Sequence, residues 1–360
     1  MKKEWLTKTL AIGIILLFIC TSITPSTAFD NIKKSSIPVS NGNILYVGGS
    51  GPGNYSKIQD AIDNASDGDT IFVYNGTYGG ARVDKSINLI GEDKNNTILE
   101  GSIGFDADNV KVSGFKFFGL YTGIYISNNY NNIISGNIFV GCGIELWCAG
   151  NNIISDNEIW LNQYIGIKLS EDCFNNTIIN NFITQCRHSS IYFEGLPHDN
   201  IISNNYIEYT MFGIYFSSLL FHCPYDNDII ENYINSCLRG IYLRNSYGGS
   251  ISNNTFIKNS IGIELERSHP EIISRNYFIE NSYCGLSISG HGFNKIIQNT
   301  FMNNTQNAFF NNCFYNVWES NYWGKPRMLP YPIFGFIFFF PWVNFDWHPA
   351  QEPYDTSSIS

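Results

Sequence analysis

The sequence predicts an all-β fold, a parallel β-helix solenoid with coils of about 22 residues and three short sheets, and three observations carry the prediction. Among the 360 residues are 45 Asn and 51 Ile, together more than a quarter of the chain. Ile fits a pleated surface and Asn fits turns, whereas both are mediocre helix formers, so an all-α architecture is excluded. The second observation is a recurring unit, I-x-x-N-x-[FIW], a variable turn, then G-I-x-[LIF]. Its Asn falls at Asn137, Asn157, Asn181, Asn205, Asn232, Asn254, Asn276, Asn299 and Asn321, at spacings of 20 to 27 residues. Three positions earlier stands an Ile, from Ile134 to Ile296, replaced by Trp318 in the last unit; two positions later stands Ile, Phe or Trp. The third observation is that each unit holds three strands of no more than about five residues between turns rich in Asn, Ser and Gly. No such unit buries its apolar face alone, so coils must stack, their inward Ile and Phe forming ladders about 4.8 Å apart. The Asn column has a structural role: an Asn in a tight turn tolerates the left-handed conformation, and its amide bonds the Asn of the next coil.

The elements follow in order. Residues 1–28 carry Lys2, Lys3 and Lys8, the apolar run Leu10 to Ile19, and Pro25-Ser26-Thr27-Ala28, the n-region, h-region and small-residue site of a secretory signal. Residues 29–43 are a linker. A β-helix spanning 44–325 opens with a helix over Ser56 to Ala65, which carries Ile58, Ala61, Ile62 and Ala65 at helical spacing behind a Ser56-x-x-Gln59 capping box. This helix is the N-terminal lid of the solenoid, whose open end would otherwise pair with other chains. Residues 326–360 form a C-terminal cap and tail around the aromatic run Pro332 to Trp342, about half the length a bilayer span needs.

Net charge is -10, and -12 once the leader is removed, which argues against nucleic acid, since a phosphate backbone needs a basic face. With the leader gone no transmembrane span is expected. Eight cysteines follow it, Cys142, Cys148, Cys173, Cys186, Cys223, Cys237, Cys284 and Cys313, with no C-x-x-C and no zinc spacing. Their pairing is not readable from spacing.

The runs Ile58-Gln59-Asp60-Ala61-Ile62, Gly68-Asp69-Thr70-Ile71 and Asn75-Gly76-Thr77-Tyr78, followed by the coils, resemble the secreted right-handed parallel β-helix proteins of the pectin-lyase-like superfamily. The nearest relatives within it are the NosD-like proteins, named for a periplasmic copper-site maturation factor, and the carbohydrate-binding and sugar-hydrolase modules. The resemblance covers about residues 44–325. It implies a right-handed helix in which G-I-x-L is the first sheet, I-I-x-x the second and N-x-[FIW] the third. It also implies an extracytoplasmic location, and that polysaccharide ligands run along the outer face of the first sheet.

In G-I-x-L the Ile and Leu point inward, so x and the residue two further on face solvent. The first outward column reads Tyr125, Glu145, Lys168, Tyr192, Tyr215, Tyr242, Glu264, Ser287, Phe309; the second reads Ser127, Trp147, Ser170, Glu194, Ser217, Arg244, Glu266, Ser289, Asn311. Tyr192, Tyr215 and Tyr242, with Glu194, Arg244, Trp147 and Glu145, form a strip suited to stack sugar rings and bind their hydroxyls. The same strip also reads as plain sheet packing with inter-coil ion pairs, Glu145 to Lys168 and Arg244 to Glu266. Binding of a polysaccharide or cell-surface glycan is the expected function. A lyase or glycoside hydrolase is the first alternative, with Glu264 and Glu266, roughly 7 Å apart, as a carboxylate pair, or with Lys168 or Arg244 as a lyase base. A NosD-like periplasmic copper-binding or metal-site maturation factor, or a structural surface protein, is the second alternative. His198, His222, His269 and His291 fall in the turn after the first sheet, but unequal turn lengths leave them better read as solvated, and no cofactor or metal ligand is assigned.

Overall fold

The computed structural model describes residues 42–119, 121–218, 223–268 and 272–354. They lie in one compact unit that begins at Gly42. The expected signal sequence and most of the linker are outside the described residues, as are His222 and His269.

The chain winds as an all-β solenoid of about thirteen turns matching a right-handed parallel β-helix. One ladder is a parallel sheet of thirteen strands, beginning with Ile44–Val47, Thr70–Val73, Asn88–Gly91 and Lys111–Ser113 and continuing through the I-I-x strands to Val317–Glu319. Two further ladders hold the N-x-[FIW] strands, such as Ile138–Val140, and the G-I-x-L strands, such as Ile165–Ser170. They fuse at the N-terminal end, because the long strand Thr97–Phe105 pairs with both Lys116–Phe118 and Thr122–Ser127. Glycine permits the passage there: a Cβ on Gly80 would lie 2.3 Å from the Ser102 carbonyl oxygen.

The core is the predicted set of ladders. Ile134, Ile154, Ile178, Ile202, Ile229, Ile251, Ile273 and Ile296 are all buried. An aromatic stack runs Phe256, Phe278, Phe301, Trp323, Tyr331, with centroids 5.2, 4.6, 4.5 and 4.1 Å apart and planes within 15° of parallel. The Arg327 guanidinium lies 4.9 Å over Tyr331, so a cation ends the stack at its last ring.

Each Asn of the column is buried and bonds along the stack: Asn254 Nδ2 donates to Asn276 Oδ1 at 3.0 Å, and Asn232 Nδ2 to Asn254 Oδ1 at 3.0 Å. The left-handed conformation belongs to the residue before each Asn, not to the Asn as expected. Gly136, Asp156, Asn180, Asn204, Glu231, Asn253, Arg275, Gln298 and Ser320 have φ of 53–66°. The ladder Asn folds back over that residue, as when Asn254 Nδ2 donates to Ser252 O at 3.0 Å, and so fixes a turn that costs a non-Gly residue about 1–2 kcal/mol. A second ladder stands five positions upstream, with Asn132, Asn152, Asn176, Asn200 and Asn227 joined amide to amide at 2.9–3.0 Å.

The N-terminal helix spans Ile58–Asn64 with Lys57 at its N-cap and no side-chain cap, so the expected capping box does not form. Gln59 is drawn instead to the open edge of the strand Gly76–Val83: its Oε1 accepts from Arg82 N at 2.9 Å and its Nε2 donates to Arg82 O at 3.3 Å. A pair of bonds to an otherwise unpaired peptide outweighs one cap bond. The C-terminal cap is an antiparallel hairpin, Tyr331–Ile337 with Phe340–Asp346, laid on the last coil through Phe310 and Asn311. Among the described residues no helix is long and apolar enough to cross a membrane.

Candidate functional site

The two outward columns stand as the alternation requires. Glu145 pairs in register with Tyr125 and Lys168, Lys168 with Tyr192, Tyr192 with Tyr215, Tyr215 with Tyr242, and Tyr242 with Glu264. In the second column Trp147 lies between Ser127 and Ser170, Ser170 beside Glu194, and Arg244 beside Glu266.

Charge is arranged in two clusters. In the first, the Lys168 ammonium bridges Glu145 at 3.6 Å and Glu194 at 3.1 Å, tying three successive coils. Burial works to lower its pKa, but the hydrogen bond and charge of Glu194 and the charge of Glu145 outweigh it, leaving Lys168 above its ordinary value. It is therefore a fixed cation at neutral pH rather than a base. A folded pKa above the unfolded 10.5 gives a stability contribution present below that value and lost as pH rises through the folded pKa. Lys168→Met should accordingly cost stability at pH 8 and progressively less above about pH 10.5, read as the difference in melting temperature between variant and parent.

The second cluster surrounds the tyrosines. Tyr192 and Tyr215 centroids are 5.2 Å apart, and Tyr215 and Tyr242 are 5.0 Å apart with planes 7° from parallel. Phe212 packs 4.7 Å from Tyr215, and the Arg239 guanidinium sits 5.2 Å over Tyr242. The faces of these half-buried rings are thus occupied by their neighbours, and their edges and hydroxyls are what the surface presents. Burial, and for Tyr242 also the Glu266 carboxylate that accepts a hydrogen bond from its hydroxyl, raises the pKa of Tyr192 and Tyr242. Arg239 is ion-paired with Glu264. Glu266 also faces Arg244, whose Nε lies 3.6 Å away, too far for a hydrogen bond, and that buried Nε has no acceptor.

At the N-terminal end of the strip lies a cleft of about 180 Å³, lined by Tyr121, Thr122, Glu145, Asn162, Tyr164 and Lys168. Its walls are tyrosines with open faces, 75% and 62% exposed for Tyr121 and Tyr164. Asn162 sets the second wall, accepting from Tyr164 N at 2.8 Å. Tyr121 and Tyr164 stand two positions before the Gly of G-I-x-L, and Met211, Leu238 and Tyr283, also exposed, occupy that position in other coils. The position lies just outside the strand alternation. Arg239 and Phe212 stand one position before the Gly and pair with each other in the sheet.

A stack of short parallel coils, with a mixed aromatic and charged strip along one outer face, defines a right-handed parallel β-helix protein of the pectin-lyase-like type. The chain belongs to the NosD family: residues 62–236 and 217–331 match the family described as periplasmic copper-binding protein (NosD). No curated protein matches it by sequence. Among solved structures it is similar to the Azotobacter vinelandii mannuronan C-5 epimerase AlgE6 A-module, at 15% identity and TM-score 0.65, covering 73% of this chain and 88% of that one. It is also similar to DFA-IIIase from Arthrobacter chlorophenolicus A6, at 15% identity and TM-score 0.53, covering 78% and 87%. A third is a mannuronic acid specific polysaccharide family 6 lyase from human gut microbiota, at 15% identity and TM-score 0.50, covering 72% and 77%. At these identities the likeness is one of fold.

The family description names copper, and the donors among the described residues do not fit it. Among the described residues no group of three or more His, Cys, Asp or Glu side chains is placed to hold a metal. His198 is stacked between Phe174 and Tyr225, at 5.7 and 4.6 Å, within an aromatic ladder along one turn. The eight cysteines from Cys142 onward form no disulfide. Burial pushes the thiols of Cys142, Cys186, Cys237 and Cys284 up to about 12, whereas a metal ligand is the thiolate.

Proposed function

We propose that this protein binds an extracytoplasmic polysaccharide along the outer face of the G-I-x-L ladder. The observation that carries the reading is the cleft between Tyr121 and Tyr164, which opens onto a continuous strip of polar edges. The open tyrosine faces of the cleft receive the apolar faces of sugar rings. Glu145, Glu194 and the hydroxyls of Tyr192, Tyr215 and Tyr242 take the sugar hydroxyls, with Trp147 alongside. Arg244, whose side chain is 44% exposed, offers its terminal guanidinium nitrogens to a carboxylate, so the ligand is an acidic glycan. The similar structures, a mannuronan epimerase and a mannuronic acid specific lyase, agree with that class. The family description supports a periplasmic location.

Binding without cleavage is the reading, because the groups that would cleave are already engaged: Glu264 by Arg239, Glu266 by Tyr242, and Lys168 as a fixed cation. Retention of the purified protein should be measured in gels containing acidic or neutral polysaccharides, with assay for new reducing or unsaturated ends. Tyr164→Ala should weaken retention about tenfold or more with an unchanged melting temperature, because the exposed ring supports no neighbour. Arg244→Ala should weaken it more on acidic than on neutral polymers. Retention by no polymer would dismiss the binding reading. New chain ends, lost on Glu264→Gln or Glu266→Gln, would replace it with catalysis.

A further inference from the structure

The C-terminal hairpin closes the solenoid with one end and exposes the other. From Met328 to Phe345 there is no Asp, Glu, Lys or Arg, a run that suits a surface in contact with hydrocarbon rather than water. Near the body the inner face is core: Ile333 is buried, and a Cβ on Gly335 would strike Phe310. Toward the turn that same face emerges, since Trp342 opposite Gly335 and Phe340 opposite Ile337 are 54% and 71% exposed. The outer face carries Phe334 and Phe336, both exposed, and the turn itself carries Phe338 and Phe339, the latter 93% exposed. The turn is not loose, for Phe338 N donates to Asn312 Oδ1 at 2.6 Å and Asn312 N to Phe336 O at 2.8 Å.

We infer that the tip of this hairpin inserts into the outer part of a lipid bilayer. Two features favour a bilayer over a second protein chain. A docking partner covers one face of a strand pair, whereas this tip is apolar on both faces and at the turn, so it needs a medium that surrounds it. The order along the hairpin is also that of an interface, with Phe at the tip and Trp342 behind it. The strands are too short to span, being seven residues each, so the contact is monotopic. Because the turn is already fixed by Asn312, insertion orders little. Net charge is -10, so electrostatic attraction to anionic lipid is not the driving force, and binding should withstand salt.

The test is cosedimentation of the full chain with phosphatidylcholine vesicles at about 0.1 and about 0.5 M salt. Comparison with Phe339→Asp is made in the same full chain, so any contribution from the apolar N-terminal stretch is common to both. The expected result is binding of similar strength at both salt concentrations, reduced about tenfold or more by Phe339→Asp at unchanged melting temperature. Should that variant melt early, Phe340→Ser carries the same comparison. Absence of vesicle binding, binding abolished by salt, or binding equal in parent and variants would overturn the inference. So would a parent that sediments as a dimer without lipid and becomes monomeric with Phe339→Asp, since a second copy then covers the hairpin.

Discussion

Replacing Asn254 with Leu, a side chain of the same branching but larger and apolar, should lower the unfolding free energy by about 3 kcal/mol or more. The loss is polar. Asn254 Oδ1 accepts from Asn232 N at 2.9 Å and from Asn232 Nδ2 at 3.0 Å, and its Nδ2 donates to Ile229 O at 2.8 Å. Leu leaves Asn232 N and the Ile229 carbonyl without their amide partner where no water reaches, at about 1–3 kcal/mol each, while Asn232 Nδ2 keeps its bonds to Ile202 O and Ile230 O. It also releases the turn at Asn253, held left-handed at φ 57°. Asn95, exposed and bonded only to Asp93 by its side chain, should tolerate the same change within about 0.5 kcal/mol. Chemical denaturation of both variants checks this, and equal effects would mean that the column is not a structural ladder.

Asp346→Ala should be comparably damaging, but locally. The first Asn ladder does not end in solvent: Asp346 Oδ2, fully buried, accepts from Asn321 N at 2.9 Å, from Asn321 Nδ2 at 3.1 Å and from Trp323 Nε1 at 3.1 Å, and Oδ1 accepts from His348 N at 3.2 Å. Ala orphans three buried donors on one oxygen, on the order of 3 kcal/mol after the cost of burying the carboxylate is recovered. Asp346→Asn keeps the accepting oxygen but turns an amide N–H toward the His348 N–H, so it should cost less. Each coil is hydrogen-bonded through its strands only to its neighbours, so the damage should spread from the C-terminal end. Hydrogen exchange should rise over the last coils, around Asn299 and Asn321, and stay near the parent level around Asn157. Uniform loss of protection along the chain would contradict a one-dimensional stack.

Coil length, strand positions and inward columns were legible because a buried stack forces the same chemistry back at every turn, as with Ile134 through Ile296. The second Asn ladder was equally legible, in the Asn that precedes I-I-x in five coils from Asn132 to Asn227, yet a ladder amide and a plain turn Asn look alike in one dimension. The identity of the left-handed residue was not legible, since Glu231 and Arg275 take that conformation only because the following Asn folds back over them. The helix cap failed for a related reason: whether Gln59 bonds its own helix or Arg82 depends on a strand edge that its local sequence does not reveal. The outward columns followed from strand alternation, and Glu145, Lys168, Tyr192, Tyr215 and Tyr242 stand where it puts them. Ring accessibility did not follow, because Tyr192 and Tyr242, which flank Tyr215, come from coils more than twenty residues away and Phe212 reaches it from just outside the repeated motif. Tyr121 and Tyr164 sit just outside the alternation, in turns of unequal length, and only the fold brings them to opposite walls of one cleft.

The most direct measurement is a crystal structure of the protein with a short acidic oligosaccharide drawn from whichever polymer retains it. The account predicts a sugar ring lying on Tyr121 or Tyr164 in the cleft, with the chain continuing over the edges of Tyr192 and Tyr215 and a carboxylate at Arg244. An oligosaccharide bound on another face of the solenoid, or none bound at saturating concentration, would contradict it.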